Sequence, residues 1–317
     1  SEKFKIQFHQ HYPVSIEDMF LRSSETLIPI GEIVEQINNI YALPEQPQYG
    51  YMVPIYDQSQ PTPDLYFPFR VVGAAFKPTR IEDDQATVIV VRPPQDGWKN
   101  RYYQGTDPIS SVTGNSDMAS SIQDVLLNEV SAIMKFKSRD HNYCFAQASL
   151  LGIWYNTRMP ELIESNIGQT YIDFKKIHRL GRIVRNDQLP IVFRTSTGGE
   201  GISKKSHNAP YILNETREIV EHYAEGIKII PFWLQLKTYV KKDGVNGYVS
   251  YSTEDAKLYR DDVIDAVTYG KINAKAHSRL NPENAAEEAK RTEKKKKLRY
   301  RYDENFNLKL DMGERSF

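Results

Sequence analysis

The chain has 317 residues, of which 40% are hydrophobic, and its 41 basic side chains balance its 41 acidic ones. This composition is enough for one substantial core with additions, and the zero net charge excludes a global attraction to nucleic acid or membranes. No apolar run approaches the roughly 18 residues that cross a bilayer, and the first residues lack the apolar stretch of a signal peptide. The single cysteine, Cys144, excludes an internal disulfide and fits a reducing compartment. We therefore expect a soluble protein.

The first third of the chain shows weak secondary-structure signals. Residues 1–60 are rich in Pro, Gln and Tyr and contain one helix-like pattern, at Pro29–Ile40. We interpret residues 1–60 as an arm or linker. Residues 61–97 contain Leu65–Val72 and Ala86–Arg92, two stretches rich in β-branched and aromatic residues, which predict a small antiparallel β extension.

Residues 98–275 have the pattern of a mixed α/β domain. A short extended run ends at Asp107, and two apolar runs that follow it predict a strand meander. A helix is predicted over Tyr143–Tyr155 and a short strand over Leu162–Glu164. The remaining predicted elements are helices over Tyr171–Ile177, Asn214–Ala224 and Phe232–Val240, a strand over Tyr248–Tyr251, and a closing helix that begins near Asp261. This order is typical of a ribonuclease H-like mixed β-sheet flanked by helices.

Acidic residues stand at the ends of three of these predicted elements. Asp107 ends the first strand, Glu164 ends the strand after the crossover helix, and Asp262 lies in the first turn of the closing helix. In the predicted topology the strands of Asp107 and Glu164 are parallel neighbours, so both carboxylates lie at one edge of the sheet. Such oxygen ligands suit Mg²⁺ or Mn²⁺, and two ions can activate water and stabilise the leaving oxygen during phosphodiester hydrolysis. The acids therefore predict a two-metal-ion site.

Each acid receives a role in this hypothesis. Asp107 bridges both ions, Glu164 holds one ion, and Asp262 holds the other. Asp265 shares a helix face with Asp262 and is expected to be an auxiliary ligand. Asp261 is either a further auxiliary acid or the N-cap of the helix.

Three other patterns are excluded from the site. Glu161 lies an odd number of positions from Glu164 and should point away from it. The glycine-rich stretch Gly198–Lys204 lacks the spacing of a nucleotide-binding loop. His141 and Cys144 do not belong to a zinc-ligand set.

Over about residues 98–275 the chain resembles the C-terminal nuclease domain of the large terminase subunit of tailed bacteriophages. Tyr103–Pro108 resembles the first metal-binding strand of that family, and Leu162–Gly168 resembles its acidic E-x-N-x-x-G strand end. Asp261–Ala266 resembles its final acidic helix. Phe8–Phe20 is similar to the segment that follows the packaging ATPase in full-length terminases.

The resemblance implies an endonuclease that cuts concatemeric double-stranded viral DNA with Mg²⁺ or Mn²⁺ in the host cell cytoplasm. It implies partners as well: the portal protein, the small terminase subunit, and a packaging ATPase domain. Since this chain has no ATPase motif, that domain would lie on a missing N-terminal region before residues 1–60 or on another polypeptide. The loop Thr195–Asn208 corresponds to a mobile element near the family's active site, and we expect Lys204 and Lys205 to contact DNA phosphates there. Residues 276–317 form a basic tail for which the family motifs provide no role.

Two alternatives stay open. Another ribonuclease H-like nuclease, such as a resolvase or a transposase-like enzyme, would use the same acids on a different substrate. A non-catalytic DNA-binding or scaffold module would instead use the tyrosine-rich surface and the basic tail, with the acids acting only as caps and ion-pair partners. Only a nuclease should lose its activity when Asp107 is neutralised.

Overall fold

The computed structural model of the chain describes residues 26–64, 66–95, 98, 100–109, 117–138, 140–155, 160–194, 198–204, 208–243, 249–253, 261–277, 300–302 and 308–310. The chain divides into two units, one that ends at His277 and one that begins at Ser278. The described residues of the second unit are an antiparallel pair of strands, β10 (Tyr300–Tyr302) and β11 (Leu308–Leu310).

The described residues of the first unit contain one large sheet, a separate hairpin, six α-helices and three short 3₁₀ helices. The α-helices are α1 (Ile30–Tyr41), α2 (His141–Trp154), α3 (Gln169–His178), α4 (Ala209–Tyr223), α5 (Ile230–Leu236) and α6 (Asp262–His277). The strands of the large sheet are β1 (Gln48–Pro61), β2 (Phe69–Pro78), β3 (Val88–Val90), β4 (Tyr102–Asp107), β5 (Met118–Asp124), β6 (Glu129–Phe136) and β7 (Leu162–Ile163). The hairpin consists of β8 (Tyr239–Asp243) and β9 (Val249–Thr253).

The large sheet has the strand order β2-β1-β3-β6-β5-β4-β7. Strands β4, β5 and β6 form an antiparallel meander, and β7 returns through α2 to lie parallel to β4. This part of the sheet has the ribonuclease H-like order, and β1, β2 and β3 extend it beyond β6. The fold class predicted from the sequence, a mixed sheet flanked by helices, is confirmed.

Helices cover both faces of the sheet. One hydrophobic core lies between the sheet and the pair α2 and α3, and it contains Phe145 and Tyr171. A second lies between the sheet and α1, α4, α5 and α6, with Trp233 as a large buried side chain. A third, smaller cluster contains Leu162, Ile202 and Tyr269. Among the described residues, no helix has both the length and the apolar character needed to cross a membrane.

The interpretation of residues 1–60 as an arm or linker did not include a strand in their last part. Strand β1 starts at Gln48 and pairs with β2 on one side and β3 on the other. Most of its side chains are half-buried or exposed, so backbone pairing defines it and its sequence shows no apolar alternation. The helix predicted at Pro29–Ile40 is confirmed as α1. Residues 1–25 lie outside the described residues, and the predicted domain boundaries stay a prediction.

Three further predicted elements differ in extent. The helix predicted over Asn214–Ala224 already begins at Ala209. The predicted strand Leu65–Val72 is displaced along the chain, because β2 begins only at Phe69. The helix predicted over Phe232–Val240 ends at Leu236, since Tyr239 already belongs to β8.

A direct backbone contact positions α6 on the sheet. Gly105 of β4 lies under α6, and a Cβ atom at this glycine would be 2.0 Å from the nitrogen of Gly270 and 2.6 Å from the carbonyl oxygen of Ala266. On the neighbouring strand, the Ser121 hydroxyl donates a hydrogen bond of 2.7 Å to the same Ala266 oxygen. These contacts place the first turn of α6 beside the end of β4.

Candidate metal centre

Three buried carboxylates meet at one edge of the sheet. Asp107 ends β4, Glu164 follows β7 directly, and Asp265 lies in the first turn of α6. One oxygen of each lies within 4.8 Å of an oxygen of the others. Asp107, Glu164 and Asp265, called the acidic triad below, form the one such cluster of possible metal ligands among the described residues.

The parallel pairing of β4 and β7 brings two of the acids together. Thr106 is in register with Ile163, and the backbone nitrogen of Glu164 donates to the carbonyl oxygen of Thr106 at 3.0 Å. Asp107 and Glu164 therefore leave the sheet side by side. The expectation that their carboxylates share an edge is met by the backbone pairing.

The surroundings of the Asp107 carboxylate favour a bound cation. Its Oδ1 atom is buried and has no hydrogen-bond partner among the described residues. Burial, followed by the negative charges of Glu164 and Asp265, raises the pKa of Asp107 well above its ordinary value. A divalent ion would give the orphaned oxygen a ligand bond and offset the repulsion among the carboxylates. The residues present therefore fit a metal ion.

The pKa of Asp265 is also raised, although a basic side chain lies beside its carboxylate. Burial raises the pKa of Asp265 to about 8, with Lys204 opposing the change and Asp261 and Glu164 adding to it. The Lys204 ammonium forms an ion pair with Oδ2 of Asp265, and it lies 3.4 Å from Oδ2 of Asp261. Burial alone would lower the pKa of Lys204, but the two carboxylates outweigh this effect and raise it well above the ordinary value.

Glu164 is held by hydrogen bonds to both of its carboxylate oxygens. The Tyr269 hydroxyl donates to Oε2 at 2.7 Å, and the Asn166 side-chain amide donates to Oε1 at 3.3 Å. Asn166 is in turn fixed by the Ser203 hydroxyl, which donates to its Oδ1 at 2.6 Å. Gly168 completes the motif, because a Cβ atom there would be 2.2 Å from the carbonyl oxygen of Glu164. Such partners orient a metal ligand and maintain its geometry.

Replacing Tyr269 with phenylalanine should weaken Mn²⁺ binding by about 10- to 100-fold. The change keeps the buried ring and removes only the donor to Glu164, so the cost in stability should stay near 1 kcal/mol. Isothermal titration calorimetry with Mn²⁺ and thermal unfolding measure the two effects. Tyr171→Phe is the matched control, because its hydroxyl bonds to Ser149 and Glu161 on the opposite face of the sheet. Equal Mn²⁺ affinity for Tyr269→Phe and wild type would contradict the assigned role.

The two acids of α6 differ in their relation to the other carboxylates. Asp265, expected to be auxiliary, belongs to the acidic triad. Asp262, expected to be a principal ligand, is buried outside the triad, where its Oδ2 accepts a hydrogen bond of 3.1 Å from the backbone nitrogen of Asp117. Asp262 is still close enough to contribute to the raised pKa of Asp107. The role of each acid in catalysis stays a prediction.

The other predicted residues lie as follows. Asp261 precedes α6, its carbonyl oxygen accepts from the Asp265 nitrogen at 2.9 Å, and its carboxylate faces Lys204. Lys205 lies outside the described residues. Glu161 contacts Lys175 and Tyr171 rather than the triad.

Sequence reasoning missed two residues that support the site. Tyr269 lies four positions after Asp265, so helical spacing places both on one face of α6 and could have indicated it. Ser203 reaches Asn166 across 37 positions of sequence, and no local pattern indicates that contact.

No protein-family model and no curated protein matches the chain. Among solved structures, it is similar to the large terminase nuclease from thermophilic phage G20c, with 11% identity and a TM-score of 0.46 over 62% of this chain and 89% of that chain. The same nuclease with bound magnesium gives 11% identity and a TM-score of 0.44 over 58% and 86%. The large terminase nuclease domain of Thermus phage P74-26 gives 10% identity and a TM-score of 0.44 over 59% and 86%. All three structures are of large terminase nucleases, the class of protein that the sequence motifs of this chain resemble.

Proposed function

We propose that the chain is a metal-dependent DNA endonuclease of a viral genome-packaging terminase. The observation that carries this proposal is the acidic triad, in which three buried carboxylates approach within 4.8 Å and one oxygen of Asp107 has no hydrogen-bond partner among the described residues. Clustered buried carboxylates destabilise a fold unless a cation offsets their charge. Hard oxygen ligands such as these carboxylates suit Mg²⁺ or Mn²⁺.

The triad and its supports have distinct roles in this proposal. Asp107 would be shared by two ions, while Glu164 and Asp265 would each hold one. Asp262 is a candidate further ligand. Tyr269 keeps the Glu164 carboxylate oriented. When bound, the ions would supply an activated water and stabilise the leaving oxygen of a phosphodiester.

The substrate and partners in the proposal derive from the resemblance of the sequence motifs. The substrate is concatemeric double-stranded DNA, with Lys204 and Lys205 contacting its phosphates. The portal protein, the small terminase subunit and a packaging ATPase domain are the proposed protein partners, and the host cytoplasm is the proposed location. Residues 98–275 are the proposed nuclease domain, and residues 276–317 the proposed basic tail.

Plasmid digestion tests the proposal. Supercoiled and linear plasmid should be cut in Mn²⁺ or Mg²⁺ and should stay intact in EDTA. Cutting should show little sequence preference, because the proposed contacts are to metal and backbone rather than to base edges. DNA binding without cutting in either metal would favour the binding-module alternative, and a fixed pattern of fragments would contradict the expected low specificity.

Asp265→Asn should reduce cleavage more than Asp262→Asn does. Asp265 supplies an oxygen to the triad, whereas Asp262 bonds to a backbone nitrogen outside it. We expect a loss of at least about 100-fold for Asp265→Asn. For Asp262→Asn we expect a loss of about 10-fold, the lower end of the roughly 10- to 100-fold that loss of a residue supporting a metal ligand costs. Single-turnover cleavage rates at saturating Mn²⁺ measure the difference. A larger loss of cleavage for Asp262→Asn than for Asp265→Asn would indicate that Asp262 is the principal metal ligand of α6.

A further inference from the structure

The acidic triad already has a cation beside it. The Lys204 ammonium is paired with Asp265, one of the three triad acids, and lies 3.4 Å from Asp261. A divalent ion in the triad would need the same Asp265 carboxylate. Because an ammonium and a metal ion repel each other at such short range, they should compete for Asp265.

Backbone pairing fixes the position from which Lys204 reaches Asp265. The Ile202 nitrogen donates to the Ile163 oxygen at 2.8 Å, and the Ser165 nitrogen donates to the Ile202 oxygen at 2.7 Å. Ile202 thus extends the sheet beside Glu164, and Lys204 follows two residues later. Backbone hydrogen bonds to the sheet therefore hold the main chain of this segment in the position from which Lys204 reaches the triad.

The Lys204 side chain nevertheless has access to solvent. It is 29% exposed, and its flexible four-carbon stem allows the ammonium to change partners without movement of the backbone. A DNA phosphate at the surface would offer a negative partner of equal charge outside the triad. Lys204 can then leave Asp265 without losing its counter-ion.

We propose that Lys204 is an internal counter-ion that competes with the divalent metal for Asp265 and releases it when its ammonium binds a DNA phosphate. This inference rests on the proposed nuclease function. Without DNA, Lys204 partly neutralises the triad and weakens metal binding. With DNA, Asp265 becomes available to the metal, so metal and DNA bind with positive cooperativity. The device would limit metal-loaded, active protein to the DNA-bound state.

Isothermal titration calorimetry with Mn²⁺, in the absence of DNA, tests the competition on the full chain. Lys204→Met removes the competing charge and should bind Mn²⁺ at least tenfold more tightly than wild type. Lys176→Met is the matched control. Lys176 lies on α3 and forms an ion pair of 2.5 Å with Glu200, which belongs to the same loop as Lys204 but is not a triad residue. The Mn²⁺ affinity of this variant should stay within twofold of wild type. Equal or weaker Mn²⁺ binding by Lys204→Met would overturn the proposal and leave Lys204 as a loop-fixing ion pair.

Two more variants keep the test decisive. Lys204→Arg preserves the charge and should bind Mn²⁺ as weakly as wild type does. Lys204→Gln can still donate to Asp265, which protects the fold if Lys204→Met is unstable, and it should also bind Mn²⁺ more tightly. Tight binding by Lys204→Arg, or unchanged binding by Lys204→Gln, would contradict competition by charge.

Plasmid cleavage at saturating Mn²⁺ separates this inference from the proposed function. Absence of cleavage by wild type would reject the nuclease, while the ratio of Mn²⁺ affinities would still decide whether Lys204 competes. Cleavage by wild type together with equal affinities would reject the competition alone.

Discussion

Replacing Asp107 with asparagine should lower metal-dependent DNA cleavage by more than about 100-fold, because the central ligand of the proposed site loses its charge. The same change should stabilise the metal-free protein by about 1 kcal/mol or more. Asp107 is buried beside Glu164 and Asp265, and one of its oxygens has no partner in the part of the chain that the structure describes. An amide of the same size removes one of three clustered negative charges. Plasmid cleavage and denaturant unfolding in EDTA measure the two effects.

Asp124→Asn provides the control for Asp107→Asn. Asp124 is also buried, on the neighbouring strand, but both of its oxygens accept from Nε of Arg101 at 2.9 and 2.8 Å. Its neutralisation removes a charge partner from Arg101 and should destabilise the protein, while cleavage per folded molecule stays near the wild-type rate. Loss of stability in metal-free Asp107→Asn, or retention of its cleavage activity, would contradict the account of the triad.

Gly105→Ala should destabilise the protein by about 3 kcal/mol, the upper end of the usual cost of overpacking a core. The added Cβ atom would lie 2.0 Å from the Gly270 nitrogen, 2.5 Å from the Tyr269 carbonyl carbon and 2.6 Å from the Ala266 oxygen. These are backbone atoms of α6, so no side-chain rotation relieves the clash. The helix must move away from β4, and Asp265 moves with it, so Mn²⁺ binding should weaken as well.

Gly73→Ala on β2 is the matched control for Gly105→Ala. A Cβ atom at Gly73 would make an ordinary contact of 3.5 Å with the Ile55 side chain. The change should alter the free energy of unfolding by less than about 1 kcal/mol. Denaturant unfolding of both variants compares them, and a similarly small loss for Gly105→Ala would show that the backbone contact does not hold α6 in place.

The central part of the fold was predictable because its signals are local. The strand ending at Asp107, the crossover helix and the strand ending before Glu164 each have a clear pattern, and their order dictates the parallel pairing. Strand β1 was not predictable, since its pairing is set by neighbouring strands and not by apolar alternation.

From the sequence, only those residues of the candidate site that stand at the end of a predicted strand could be identified. Asp107 and Glu164 were found in this way. Whether Asp262 or Asp265 lies beside Asp107 and Glu164 depends on how α6 crosses β4. The close contact between Gly105 and Gly270 sets this crossing. That contact joins positions far apart in sequence, as does the pairing that brings Lys204 to Asp265. A single sequence carries no signal for such contacts.

The most direct test of the metal centre is anomalous X-ray diffraction from crystals of the full chain grown with Mn²⁺. The account predicts an anomalous peak at coordination distance from the carboxylates of Asp107, Glu164 and Asp265. Ordered triad carboxylates with no manganese peak beside them, at a concentration that supports plasmid cleavage, would contradict it.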